Sequence, residues 1–222
     1  MRVAILSSGG KDSSAAWWWA MCKGWDIDCL VTVIITGEDS WMFQIPGTKI
    51  VEKQANLAGI EWISVDSEGI QEKEILDLED KLRDLKIDGL VSGAIRSDYQ
   101  KSRIERMCDR LNIKSWTPLW HQSSLGHMRG LVSNGFKVMI TSVSCEGLTD
   151  KWIGHVLTED SLKEMEELSQ KYRFNVDGEG GEYETLVVSG PHFDGHLDVE
   201  GSTYWDGKRG ELKIDSVTEI KN

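Results

Sequence analysis

Two short stretches of this chain combine residue types and spacings that could do chemistry. The first is Ser8-Gly9-Gly10-Lys11-Asp12-Ser13, entered from Val3-Ala4-Ile5-Leu6 and leading into Ser14-Ala15-Ala16-Trp17. A run of apolar residues this short predicts a strand buried on both faces, the pattern of a parallel sheet. Paired glycines let the backbone turn without a Cβ clash. Asp12 and Ser13 suit a helix start, where short oxygen-bearing side chains satisfy orphan N–H groups. Strand, glycine loop and helix N-terminus aim several N–H donors and the positive end of a dipole at one point, which is where a phosphate binds. The second stretch is Gly178-Glu179-Gly180-Gly181-Glu182-Tyr183-Glu184-Thr185, followed by the strand-like Leu186-Val187-Val188. Its carboxylates repel one another and its glycines are costly to order. It reads as a flexible acidic loop, as a bulged lead-in to the strand, or as a backbone that closes over a substrate while carboxylates hold an amine, a cation or ammonium. The residues alone leave these readings open.

The first loop departs from two common nucleotide fingerprints. The triphosphate P-loop needs Gly, four residues, then Gly-Lys-Ser/Thr; here Ile5 stands in the first glycine's place and Asp12 follows Gly10-Lys11. The spaced glycines of the dinucleotide motif are also missing. Ser8 to Ser13 instead resembles the PP-loop of N-type ATP pyrophosphatases. That resemblance implies a loop that binds ATP, cleavage between the α and β phosphates, and a substrate activated as an adenylate.

The elements needed to hold these stretches are legible in order. A helix is expected from about Ser13 to Lys23 and a second buried strand over Ile27 to Thr36. A loop from Gly37 to Pro46 carries Trp41, Met42 and Phe43, which either pack on the core or line a pocket. Gly47 to Ala58 has helical period, with Gly59 as its C-cap. Glu61 to Val65 reads as a strand. Ile70 to Leu85 is an amphipathic helix with Ile75, Leu78, Leu82 and Leu85 as the buried stripe and a charged, solvated opposite face. Gly89 to Ala94 is a further strand, and Ser97 caps a helix running to about Leu111. Lys114 to Trp116 is a short strand, Ser123 to Asn134 a helix, and Lys137 to Ser144 a last β-branched run of the sheet. Alternating strands and helices call for right-handed crossovers and a parallel sheet covered on both faces, with ligands beyond the carboxyl ends of its strands.

Beyond Cys145 the pattern changes: one helix over Thr158 to Tyr172, then strands at Leu186 to Val188, Leu197 to Trp205 and Glu211 to Ile220, the last two joined through Asp206-Gly207 and Arg209-Gly210. The expectation is an α/β, doubly wound, mainly parallel nucleotide-binding domain over residues 1–143 and a smaller α+β domain over 144–222 that binds substrate.

Bulk composition narrows the function class. The chain has 222 residues and a formal net charge of −12, which disfavours extended contact with a nucleic acid backbone and points to a protein or small-molecule substrate. No apolar run is long enough to span a bilayer, and the first residues lack the pattern of a signal peptide, so a cytoplasmic protein is expected. The scattered Cys22, Cys29, Cys108 and Cys145 form no C-x-x-C pair, against a zinc ribbon, an iron–sulfur site or a disulfide scaffold. The histidines show no ligand spacing. Trp17, Trp18 and Trp19 cover too much of a helix circumference for all to face a core, which leaves one for a subunit interface and a homo-oligomer open as a reading.

A wider resemblance joins these pieces. Ser8 to Ser13, Ser92-Gly93-Ala94-Ile95 with Ser97-Asp98-Tyr99-Gln100 and Arg103, Thr117-Pro118-Leu119-Trp120, and Gly178 to Thr185 together resemble the diphthine–ammonia ligase family. Trp41 to Gly47 resembles that family's second loop, with Gln44 and Gly47 where members often carry His and Asn. The resemblance implies an adenine nucleotide alpha hydrolase-like fold and an amide ligase. The carboxylate of diphthine, a modified histidine on translation elongation factor 2, attacks the α-phosphate of ATP, pyrophosphate leaves, and ammonia displaces AMP. It further implies that Ser8, Gly9, Gly10, Lys11, Asp12 and Ser13 bind ATP, with Asp12 the ligand of Mg2+. Glu179, Glu182 and Glu184 would orient ammonium or take its proton, and Ser97, Tyr99, Gln100, Arg103, Gly180, Gly181, Tyr183 and Thr185 would line the substrate site. For Asp12 a dipole-favoured first-turn residue is the plainer reading, for Arg103 a surface salt bridge, and for Lys11 a side chain turned to solvent. Two rivals stand beside this one, a tRNA-modifying PP-loop enzyme and a non-catalytic ATP sensor of the universal-stress-protein type.

Overall fold

The computed structural model describes residues 1–35, 50–70 and 72–222, and the Trp41 to Gly47 loop lies outside them. The chain forms two compact units, Met1–Trp120 and His121–Asn222.

The first unit is built on β1 (Arg2–Leu6), β2 (Asp26–Ile35), β3 (Glu61–Ser67), β4 (Gly89–Ser92) and β5 (Lys114–Trp116). They form one parallel sheet in the order β3-β2-β1-β4-β5. Val3, Ala4 and Ile5 are fully buried, as a run covered on both faces requires. The helices are α1 (Lys11–Cys22), α2 (Val51–Ala58), α3 (Lys73–Arg83) and α4 (Asp98–Leu111). The stripe Ile75, Leu78 and Leu82 of α3 and Ile104, Met107 and Cys108 of α4 bury one face, against Ala4, Val31, Val33 and Leu90. The chain winds outward from β1 to β3, then crosses to β4, so β1 and β4 flank the switch point where such sheets bind ligands beyond their carboxyl ends.

The charged face of α3 is only partly solvated. Glu79 is 5 % exposed, held by Arg110 of α4 at 2.8 and 2.5 Å and by Arg83 at 3.1 Å. The Arg110 hydrogen bonds hold its carboxyl below the usual carboxylate range. Helical period locates the stripe, but a glutamate flanking it is buried when an arginine from the next helix reaches it. Burial pushes the thiols of Cys29 and Cys108 up to about 12; they serve as small core hydrophobes.

The second unit contains α5 (Ser124–Ser133), β6 (Lys137–Val143), a 3-10 turn (Asp150–Trp152), α6 (Glu159–Tyr172), β7 (Tyr183–Ser189), β8 (His196–Trp205) and β9 (Gly210–Ile220). Its sheet is antiparallel, in the order β7-β6-β9-β8. This moves two boundaries. Lys137 to Val143 is an interior strand of the second sheet and not the last strand of the first, and the compact units meet at 120/121 where the sequence suggested 143. The reason is visible in its burial. Val138 and Ile140 are fully buried while Lys137 is exposed and Met139 and Thr141 are half-buried, the alternation of a sheet with one covered face.

β9 pairs with β6 only at Glu211 and Gly210. Residues 154–157 take over the edge of β6, through Gly154 N–H to Ile140 O at 2.8 Å, Ile140 N–H to His155 O at 2.9 Å and Leu157 N–H to Val138 O at 2.8 Å. Among the described residues no helix is long and apolar enough to cross a membrane.

Candidate active site

The loop after β1 is braced by hydrogen bonds between neutral groups. Gly9 sits at φ +83°, a conformation that side chains resist. The Ser8 N–H donates to Ser13 Oγ at 3.3 Å and the Gly9 N–H to Ser7 Oγ at 3.3 Å. The Ser13 hydroxyl donates to Gly10 O at 3.1 Å. From α2, Gln54 Nε2 donates to Gly9 O at 3.0 Å. The donors expected to meet phosphate at Ser8, Gly9 and Ser13 are therefore engaged inside the loop. The N-cap of α1 is Gly10, in extended conformation and with no side chain to cap the first turn. The dipole end and the N–H groups of that turn are what the loop delivers to an anion.

Lys11 does not turn to solvent. It is 5 % exposed, and its Nζ lies 2.8 Å from Asp12 Oδ2. Burial of an ammonium is tolerated when it is paired, and the pair places one positive and one negative group at the mouth of the helix. The carboxyl end of β4 closes the other side. A Cβ on Gly93 would stand 2.6 Å from Asp12 C and Ser13 N, so the helix start and β4 meet backbone to backbone. The hydroxyls of Ser92, at this strand end, and of Ser14 in α1 are buried with no hydrogen-bond partner among the described residues. Buried orphan hydroxyls beside a helix N-terminus fit a polyphosphate, and Asp12 is a hard oxygen donor of the kind magnesium takes alongside phosphates. Sequence reasoning gave Ser14 and Gln54 no role, because a serine or glutamine carries no motif until its neighbours are known, and it marked Ser92 only as part of the Ser92 to Ile95 resemblance.

The segment after β4 is ordered by its own contacts. Ser97 is the N-cap of α4, its Oγ accepting from Gln100 N–H at 3.3 Å. The Arg103 guanidinium lies 3.5 Å over the Tyr99 ring and donates to Glu72 Oε1 at 2.9 and 2.5 Å. The salt-bridge reading of Arg103 thus describes its contacts here, and the Tyr99 ring holds it flat.

In the second unit, the glycine–glutamate block is half loop and half strand. Tyr183, Glu184 and Thr185 open β7. Gly178 and Gly181 take positive φ, +70° and +78°. Glu182 staples the turn: Oε1 accepts from Asn175 N–H and Asn175 Nδ2 at 2.8 Å each, and Oε2 from Gly180 N–H at 2.7 Å. The rim of β6 joins in, with Ser144 N–H to Glu182 O at 2.9 Å and Ser144 Oγ to Gly181 O at 2.5 Å. Tyr183 is buried and donates to Val176 O at 2.6 Å. Glu179 and Glu184 are half-buried. The block is thus a lead-in to β7, and the loop is pinned to its strand.

Together these features define an α/β protein with a braced glycine loop at the switch point of its parallel sheet and a second, antiparallel unit carrying a stapled acidic loop. The chain matches the family profiles described as Diphthamide synthase N-terminal domain over residues 1–115 and Diphthamide synthase C-terminal domain over 123–220. Diphthine–ammonia ligase of Homo sapiens is 34% identical over 226 residues, covering 91% of this chain and 84% of that protein. The enzyme of the same name from Danio rerio is 33% identical, covering 87% of this chain and 84% of its own. That of Schizosaccharomyces pombe is 28% identical over all of this chain and 40% of its own length. The chain belongs to the diphthamide synthase family. Its fold is similar to that of a Methanocaldococcus jannaschii protein described as a predicted subunit of tRNA methyltransferase, at TM-score 0.50 and 21% identity, covering 86% of this chain and 98% of that one. That likeness is one of fold.

Proposed function

We infer that this chain is an ATP-dependent diphthine–ammonia ligase. One observation carries the reading: a family member places Ser8 to Ser13 at the β1–β4 switch point, with Gly93 against the helix start and the buried hydroxyls of Ser14 and Ser92 beside it. In the reaction the diphthine carboxylate of elongation factor 2 attacks the α-phosphate of ATP, the α–β bond breaks, and pyrophosphate departs. Ammonia then attacks the acyl carbon, AMP leaves, and a proton is lost as the amide forms. A carboxylate has no good leaving group, so activation must come before ammonia can act.

The first-turn N–H groups of α1 and the Lys11 ammonium face the charge that grows on departing pyrophosphate. Asp12 would hold Mg2+ on the polyphosphate, where the ion supplies charge neutralisation. Glu179 and Glu184 are the carboxylates for orienting ammonium or taking its proton, while Glu182 shapes the loop that carries them. In the first unit Ser97, Tyr99, Gln100 and Arg103, and in the second Gly180 and Gly181, are the residues proposed to contact substrate; Tyr183 and Thr185 are buried and support the acidic loop from within. The setting is the cytoplasm, where a translation factor is met.

The test is to incubate the pure protein with ATP, magnesium, ammonium and diphthine-bearing elongation factor 2, following pyrophosphate and the mass of the modified histidine peptide. AMP, pyrophosphate and an acid-to-amide mass change are expected. Pyrophosphate without the amide moves the search to another carboxylate. Adenylation of tRNA when tRNA is supplied in place of the elongation factor replaces the reading with a tRNA-modifying one, and ATP binding without turnover on either replaces it with a sensor.

A further inference from the structure

Gln54 is fully buried in α2, remote in sequence from the phosphate loop, yet it makes the loop's contact with that helix. Its Nε2 donates to the Gly9 carbonyl at 3.0 Å, and a Cβ on Gly9 would meet its Oε1 at 3.2 Å and Val51 Cγ2 at 3.3 Å. The amide therefore lies against the one residue whose φ of +83° sets the turn. A trans peptide is planar, with C=O and the next N–H pointing in opposite directions. Drawing the Gly9 carbonyl toward α2 sends the Gly10 N–H to the other side of the loop and keeps a carbonyl lone pair off that side. Flipping this peptide would exchange a donor for an acceptor on the side where an anion is to bind.

We propose that Gln54 is a positioning residue for ATP, acting through the Gly9–Gly10 peptide; the proposal rests on the ATP reading of the loop. Glutamine suits this role because it is a donor, it is neutral, and it is long enough to reach from α2. A buried carboxylate would repel both the carbonyl and the polyphosphate, and a buried ammonium would need a counter-charge.

Gln54→Met keeps the volume and removes the donor; Gln54→Glu keeps the shape and replaces the donor with an acceptor. ATP binding to the full chain, measured by calorimetry in magnesium buffer, should weaken about tenfold for Gln54→Met, the size of one lost hydrogen bond, and further for Gln54→Glu. The melting temperature of Gln54→Met should fall modestly, since the buried Gly9 carbonyl loses its donor. The phosphates are present before and during reaction, so the loss falls in the KM for ATP, with kcat at saturating ATP within about twofold. Wild-type affinity in Gln54→Met overturns the role of Gln54 while leaving the ATP reading intact. A wild-type chain that binds no ATP overturns both. A loss that falls in kcat at saturating ATP as much as in KM reduces Gln54 to a packing residue.

Discussion

The phosphate loop of the first unit and the acidic loop of the second face the same difficulty, fixing a glycine backbone in conformations that glycine alone leaves loose. They solve it with opposite chemistry. Around Gly9 and Gly10 the fasteners are hydroxyls and an amide, from Ser7, Ser13 and Gln54. Around Gly180 and Gly181 the main fastener is a carboxylate, Glu182, gathering three N–H donors, with the Ser144 hydroxyl added on Gly181 O. A carboxylate makes the stronger hydrogen bonds, so the choice of neutral fasteners in the first loop has a physical cause. A formal negative charge bonded there would oppose the anion the loop must receive, and burial would magnify the repulsion. In the exposed second loop that cost is small. The neutral braces leave the first loop with no negative charge bonded to its backbone, as the proposed phosphate role requires.

The largest test of this contrast is Gly93→Ala. Its Cβ would fall 2.6 Å from the backbone of Asp12 and Ser13, and misplacing a reactive site by 1 Å costs on the order of 100-fold in rate. Pyrophosphate release should fall by about that factor while circular dichroism stays that of wild type. A rate within threefold of wild type would mean that the strand end does not set the helix start.

Next is Glu182→Ala, which strands three donors and should loosen the acidic loop by about 1–3 kcal/mol. Hydrogen exchange at Asn175 and Gly180 should accelerate and amide formation should fall, while ATP affinity is kept. Glu182→Gln should be milder, since one oxygen acceptor remains, and Glu184→Gln should leave exchange at Asn175 untouched. Equal losses of ATP binding and amide formation in Glu182→Gln would deny the loop a role specific to the ammonia step.

Acid separates the units. Burial lowers His192 from 6.5 to about 3, so the unfolded chain takes up a proton before the folded one does. The stability from keeping it neutral is complete above pH 6.5 and is lost as pH falls from there toward 3, by about 1.4 kcal/mol for each pH unit well inside that window. Glu79 is also depressed, through its Arg110 hydrogen bonds, so its contribution is complete above the ordinary glutamate range and is lost only as pH falls through it and below. Probes in the second unit should lose protection first on acidification, from about pH 6. His192→Phe should flatten that loss, and Glu79→Gln should lower the stability of the first unit at pH 7 but not at pH 3. The smallest effect belongs to Arg103→Ala. Its pair with Glu72, which is 61% exposed, should be worth under about 1 kcal/mol, read as a melting shift that high salt removes.

How much of this is legible in the sequence depends on whether a residue's role is local. The Val3 to Leu6 run, the Ser97 cap of α4 and the left-handed Gly59 after α2 state themselves in a few residues, and the structure places each as the sequence predicts. Lys137 to Ser144 reads in the sequence as a strand of the parallel sheet, because strand character is local while the choice of partner is not. Only its alternating burial carries the hint. Lys11 and Glu79 turn inward because Asp12 and Arg110 meet them in space. Gln54 is the extreme case, since no spacing in the sequence connects it to Gly9.

The strand order has a consequence during synthesis. β1 lies in the middle of its sheet, yet its second neighbour, β4, comes only at Gly89–Ser92. At about 5–20 residues per second, a nascent chain spends several seconds with one edge of β1 unpaired and with α1 lacking Gly93 at its start. The nucleotide site therefore cannot be complete until β4 has left the ribosome. Translation speed through residues 60–90 then sets how long that open edge is offered to other chains.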